Sequence, residues 1–151
     1  LSAPALPVLG VGIAAVALRR VRPRLDVRVL GSLFVLAVAL GTLARHWSGP
    51  GDLIEGASRW STAGIGALAA VLVNNLPAAA LLSAQAPHHA RALLIGLDLG
   101  PNLAVTGSLS AYLWLRAARA VGAEPSLRTY SLVGLALVPL SVAVSLAAIS
   151  L

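Results

Sequence analysis

With 151 residues, 58% of them hydrophobic and only 11% charged, the chain is far poorer in charge than a soluble domain, where about a quarter of residues are charged. Its 11 basic residues, all Arg, give a net charge of +6, but they flank apolar runs, which is how membrane proteins are oriented and not how nucleic acid is bound. The absence of Cys excludes disulfides, thiolate metal sites and cysteine nucleophiles.

Leu1 to Leu18 is uncharged and opens without a basic leader or an A-x-A cleavage site, so it does not read as a signal peptide. There is also no Met, and residues 1–151 read as a single transmembrane domain, the later part of a larger polytopic permease. The basic run RRVRPRLDVR follows at 19–28. Val29 to Ala44 is uncharged and about 24 Å long as a helix, short for a hydrocarbon core of about 30 Å unless Arg28 and Arg45 snorkel. RHWSGPGDLIEGASRW at 45–60 reads as a loop, with Trp47 and Trp60 suited to the interfacial aromatic belt.

Residues 61–86 are uncharged but interrupted by NNLP at 74–77, and PHHAR at 87–91 is a polar turn. The next apolar segment, 91–118, contains LIGLDLGPNLAVTGSLSAYLWL, an oily run holding an acid, a helix breaker and several hydrogen-bonding side chains. RAARAVGAEPSLR at 116–128 is a second basic loop, and Tyr130 to Leu151 is a clean apolar span with a central Pro139. These elements predict an all-α polytopic membrane protein.

Topology turns on 61–86. If this segment crosses, the basic loops 19–28 and 116–128 face opposite sides. If it enters and returns as a re-entrant hairpin turning at Asn74 and Asn75, both face the cytoplasm. Arginine bias favours the hairpin: the other side then holds Arg45, Arg59 and Arg91, diluted by Asp52 and Glu55. The arm from Ser61 to Val73 is about 20 Å of helix, too short to span but long enough to reach the midplane.

Backbone leaves helical geometry inside a bilayer only where it is buried in protein or lines a polar cavity. VNNLPAA and DLGPNLAVTGS are two such breaks. Pro77 and Pro101 have no amide hydrogen, while Gly100 and Gly107 permit unusual angles and close approach. Gly100 lies about 13 Å below Arg91 along a helix, so both breaks fall at comparable depth. Discontinuous helices at the midplane form substrate sites in secondary transporters. Asn74, Asn75, Gly100, Pro101, Asn102, Thr106, Gly107 and Ser108 are therefore the candidate binding residues, suited to a small oxygen-rich solute. The asparagines also fit helix–helix hydrogen bonding.

Asp98 is the only acid within a predicted span. Such groups mark ion pathways by default, and a desolvated carboxyl holds its proton more tightly. Asp98 is the candidate coupling residue, with capping of the broken helix as the alternative. His88 and His89 are adjacent rather than at metal-binding i,i+4 spacing, and read as an interfacial turn. No metal site or cofactor is expected. Without GxSxG, HExxH, paired carboxylates or a phosphate-binding Gly-rich loop, neither an enzyme nor an ATP-driven pump is expected.

VNNLPAAALL followed by GLDLGPNLAVTGSLSAYLWLRAAR resembles the C-terminal half of ArsB-type arsenite efflux permeases. These belong to the ion transporter superfamily, with NhaD-type sodium/proton antiporters and citrate or divalent-anion transporters. The resemblance covers about residues 25–151 and is strongest over 71–119. It implies one of two inverted repeats, with a re-entrant hairpin at 61–86, a broken helix at 91–118 and elevator-type movement. It places Asn74 and Asn75 on the hairpin tip, and Asp98 to Ser108 on the broken helix.

The implied activity is exchange of neutral arsenite or antimonite hydroxides for protons, in the plasma membrane of a bacterium, in some cases with a soluble ATPase subunit and as a homodimer. Sodium-coupled and organic- or divalent-anion members share much of the pattern, so the same residues are compatible with those cargoes. A non-transporting membrane subunit is the remaining alternative.

Overall fold

The computed structural model describes residues 5–19, 26–84 and 86–149, and every regular element among them is helical. The chain divides into two units, Leu1–Gly31 and Ser32–Leu151. The first holds α1 (Ala5–Arg19) and the opening of α2 (Val27–His46). Residues 20–25 of the basic run lie outside the described residues.

The second unit continues α2 and adds α3 (Gly49–Glu55), α4 (Arg59–Val73), α5 (Asn75–Leu82), α6 (Ala90–Leu99), α7 (Leu109–Ala120) and α8 (Leu127–Ala148). Two short 3-10 turns, Gly100–Leu103 and Val105–Gly107, separate α6 from α7. The stretch 45–60, expected as a loop, contains α3. Pro50 stands in its first turn, where an amide has no helical partner anyway, and Asp52 faces the positive end of the helix.

Local chemistry sets the helix starts. Ser58 begins α4, its Oγ accepting from the Ser61 amide at 3.2 Å. Ser126 does the same for α8 through the Thr129 amide at 3.2 Å. Such caps satisfy amides that the helix leaves without partners. Pro77 lies inside the apolar run 75–82, yet α5 starts only at Asn75. The proline therefore falls in the first turn, where its missing N–H breaks no helical bond.

Helices α4 and α6 run parallel and very close. A Cβ on Gly96 would lie 2.0 Å from the Ala63 carbonyl oxygen, and one on Gly100 would lie 2.4 Å from Ala67 Cα. The two contacts are one helical turn apart on both helices, which fixes a parallel register. Small residues permit this approach, and dispersion between backbones rewards it.

After α5 the chain comes back toward α3. Leu82 shares an apolar cluster with Ile54 of α3 and Leu93 of α6, and Ala86 to His88 line a small pocket with Gly51, Ile54 and Glu55. Helix α8 runs antiparallel to α6: Leu146 packs with Ala63 and Ala92, while Gly134 lies against the Asn102 carbonyl.

Two helices, Val27–His46 and Leu127–Ala148, are long and apolar enough to cross a membrane. Only 11% and 17% of their most apolar windows are buried. Phe34, Val35, Leu135 and Leu140 are all more than half exposed. Apolar surface of that extent is costly in water and fits insertion into a bilayer.

Candidate functional site

The end of α4 and the start of α5 meet at Asn74, whose backbone sits at φ 76°, ψ 152°. It is the one non-glycine residue with positive φ among those described. This region is all but closed to side chains other than glycine, and holding Asn there costs roughly 1–3 kcal/mol. The side chain is about nine-tenths buried. Its Nδ2 donates to the Thr106 carbonyl at 3.4 Å, across 32 residues of sequence. Its Oδ1 is buried without a hydrogen-bond partner. An orphan acceptor in such a place costs about 1–3 kcal/mol.

The second break is built by close approach. After α6 the chain turns through Gly100–Leu103, becomes extended at Ala104, turns again through Val105–Gly107 and is extended once more at Ser108. Gly107 presses on Pro101: a Cβ there would lie 2.7 Å from the proline Cα and 2.8 Å from its carbonyl oxygen. Ser108 then caps α7, its Oγ accepting from the Ser110 amide at 3.1 Å and sharing a hydrogen bond with the Ser110 hydroxyl.

The Asn74–Thr106 bond therefore joins the two breaks. The C-terminal ends of α4 and α6 lie at the same place as the N-terminal ends of α5 and α7. Helix starts present partial positive charge and free amides, and helix ends present carbonyls, so both signs of partial charge converge with no ionised side chain. A small solute carrying hydroxyls or a compact anion would find donors and acceptors together.

The expected site residues divide into three groups. Asn74, Gly100, Pro101 and Gly107 are buried at the junction, and Asn75 and Ser108 are half-buried beside it. Thr106 contributes its carbonyl to the junction, although its residue surface is exposed. Asn102 and Asp98 are exposed. Asn102 Nδ2 donates to the Leu99 carbonyl at 3.2 Å, closing the end of α6. Asp98 lies on an outward stripe of α6 with Arg91 and Leu94, turned away from the face that packs on α4.

Asn102 also lines a cavity of about 630 Å³ between the break and α8, with Trp114, Thr129, Tyr130 and Ser141 among its walls. The rings of Trp114 and Tyr130 are 5.7 Å apart and tilted by 31°. Sequence reasoning missed this cavity and the role of Gly134. A Cβ there would come within 2.3 Å of the Asn102 carbonyl oxygen, so only glycine lets α8 seat on the break. A lone glycine in the Leu- and Val-rich run 132–138 was the available signal. Among the described residues no group of His, Asp or Glu could hold a metal ion.

No family model, curated protein or solved structure matches this chain.

Proposed function

We propose that the chain is the site-bearing part of a secondary active transporter, multi-pass in a bacterial plasma membrane, whose cargo is bound where the two helix breaks meet. The observation that carries this reading is the Asn74–Thr106 hydrogen bond beside the buried, unpartnered Asn74 Oδ1. A strained backbone and an orphan acceptor at one residue are hard to account for by packing, because glycine would relieve the strain and an apolar residue the orphan. Substrate contact accounts for both.

In this reading α4 and α5 form a re-entrant hairpin with Asn74 at its tip, supported by the return of residues 86–88 to α3. Asp98 is the coupling residue. A carboxylate on an outward stripe at that depth cannot face hydrocarbon cheaply, so a further polar surface covers it and completes the site. The resemblance at VNNLPAA and DLGPN suggests arsenite or antimonite hydroxide as cargo, moved by an elevator-type exchange for protons. Neutral hydroxides suit a junction of amides, carbonyls and hydroxyls. An organic or divalent anion is the second reading, favoured by the positive ends of α5 and α7 at the junction, while sodium, the other cargo of that reading, would be held by the carbonyl ends of α4 and α6.

The test is flux in membrane vesicles holding the full-length protein. An imposed pH gradient is expected to drive arsenite or antimonite movement. Robust flux of sodium or a dicarboxylate in place of arsenite would assign the second cargo class. The absence of all four would remove the transporter reading.

A further inference from the structure

We propose that the cavity between α8 and the second break holds one acyl chain of a membrane lipid, entering beside Ser126 and Thr129, passing Asn102 and ending at Ser141.

The shape of the cavity follows from α8. Thr129, Val133, Leu137 and Ser141 recur every four residues and line one long edge of it. From Ser126 to Ser141 the wall runs along about 22 Å of helix. A volume of about 630 Å³ spread over that length leaves a mean cross-section of roughly 30 Å². A further helix with its side chains is about 10 Å across and would need roughly 80 Å². An extended hydrocarbon chain, touching its neighbours at about 4 Å between carbons, needs only about 20 Å². Its carbons advance about 1.25 Å each, so about eighteen of them fill the trough.

The chemistry of the wall selects the same occupant. No Arg, His, Asp or Glu lines the cavity, so an ionised ligand would find no counter-charge there. Val133 and Leu137 are half exposed and leave one side of the trough open to the bilayer. Trp114 and Tyr130, their rings 5.7 Å apart, wall the end nearer the α7–α8 loop. Such amphipathic rings suit the interfacial layer. Beside them, the hydroxyls of Ser126 and Thr129 can donate to the ester carbonyls of a glycerolipid. Deeper in, Asn102 turns its Nδ2 to the Leu99 carbonyl, which leaves that part of the wall largely apolar. An empty trough would forfeit dispersion contacts along its length, and a chain restores them. The chain then lies against the break on which α8 is seated through Gly134. The inference rests on insertion in a bilayer and not on transport.

The experiment is quenching of Trp114 fluorescence in the detergent-solubilised full-length protein, with every other tryptophan, Trp47 and Trp60 among them, replaced by Phe. The titrant is phosphatidylcholine with one dibrominated stearoyl chain, because bromine quenches only near contact. Quenching is expected to saturate at an equimolar ratio and to be reversed by the unbrominated lipid. Ser141→Phe fills the deep end and Thr129→Phe the mouth, and each is expected to abolish the saturable phase. Leu132→Phe, on the exposed side of α8, is expected to leave it intact. If one blocking variant does not fold, the other carries the test. Quenching that rises in proportion to lipid without saturating would mark bulk contact only and overturn the site. Saturable quenching unchanged by both blocking variants would overturn it too. Equal quenching by a dibrominated hexanoyl lipid would replace the chain with a small ligand. Because the readout is fluorescence and not flux, failure here leaves the transporter reading untouched.

Discussion

Asn74 Nδ2 lies 3.4 Å from the Thr106 carbonyl oxygen, and this one contact ties a break after α4 to a break after α6. Removing it separates two effects that are usually mixed. Asn74→Gly removes the backbone strain, worth roughly 1–3 kcal/mol, and the orphan acceptor, while losing one hydrogen bond worth about 1 kcal/mol. The folded protein is expected to be as stable as the parent or more so by thermal unfolding in detergent, with cargo flux lost. Asn74→Ala loses the bond and the orphan acceptor alike but keeps the strain, and is expected to be less stable than Asn74→Gly by roughly 1–3 kcal/mol. A Gly variant that transports normally would show that the side chain has no part in binding.

The parallel helix pair gives a prediction about packing. Gly96→Ala drives a methyl into the Ala63 carbonyl and is expected to cost about 1–3 kcal/mol or more as α4 and α6 are forced apart. Gly64 lies on the outer face of α4 with nothing near its Cβ position. Gly64→Ala is expected to be neutral or to stabilise by about 0.4–1 kcal/mol through reduced unfolded-state entropy. Equal effects of the two substitutions on the unfolding midpoint would contradict the register.

Gly134 tests whether α8 supports the break. Gly134→Val places a side chain against the Asn102 carbonyl and Leu103. Chemical labelling of a cysteine introduced at Ser141, in a chain with no native Cys, would report the cavity beside it. Faster labelling is expected in the valine variant as α8 moves off. Unchanged labelling would mean that α8 is not seated on the break.

Asp98 is predicted to carry the coupled proton. Asp98→Asn keeps the size and polarity of the side chain and removes its charge change. Exchange driven by a pH gradient is expected to fall to background, with expression unchanged. An Asn variant with the parent's pH dependence would assign Asp98 a structural role.

Much of the helical layout was legible in the sequence because its signals are local. NNLP begins directly after the end of α4 at Val73, and GPN directly after the end of α6 at Leu99. The Ser caps at 58, 108 and 126 mark helix starts in the same way. The 45–60 stretch hid α3, because its Gly and Pro are turn residues and first-turn residues alike.

What could not be read is tertiary. Nothing in 61–70 or 91–100 says that the two helices lie parallel with Ala63 on Gly96, since that register depends on which small residues meet. The direction of Asp98 follows from the register, so its exposed stripe was equally hidden. The sequence placed the two breaks at similar depth but could not name the pair of atoms that joins them.

The most direct test of the whole account is arsenite and antimonite flux, with sodium and dicarboxylate arms, in vesicles holding the full-length protein or its Asn74→Gly form. Saturable, pH-gradient-driven movement of one of these solutes by the parent is expected, lost in the glycine variant although the protein remains folded. Flux that persists unchanged in Asn74→Gly, or no movement of any of the four by the parent, would contradict it.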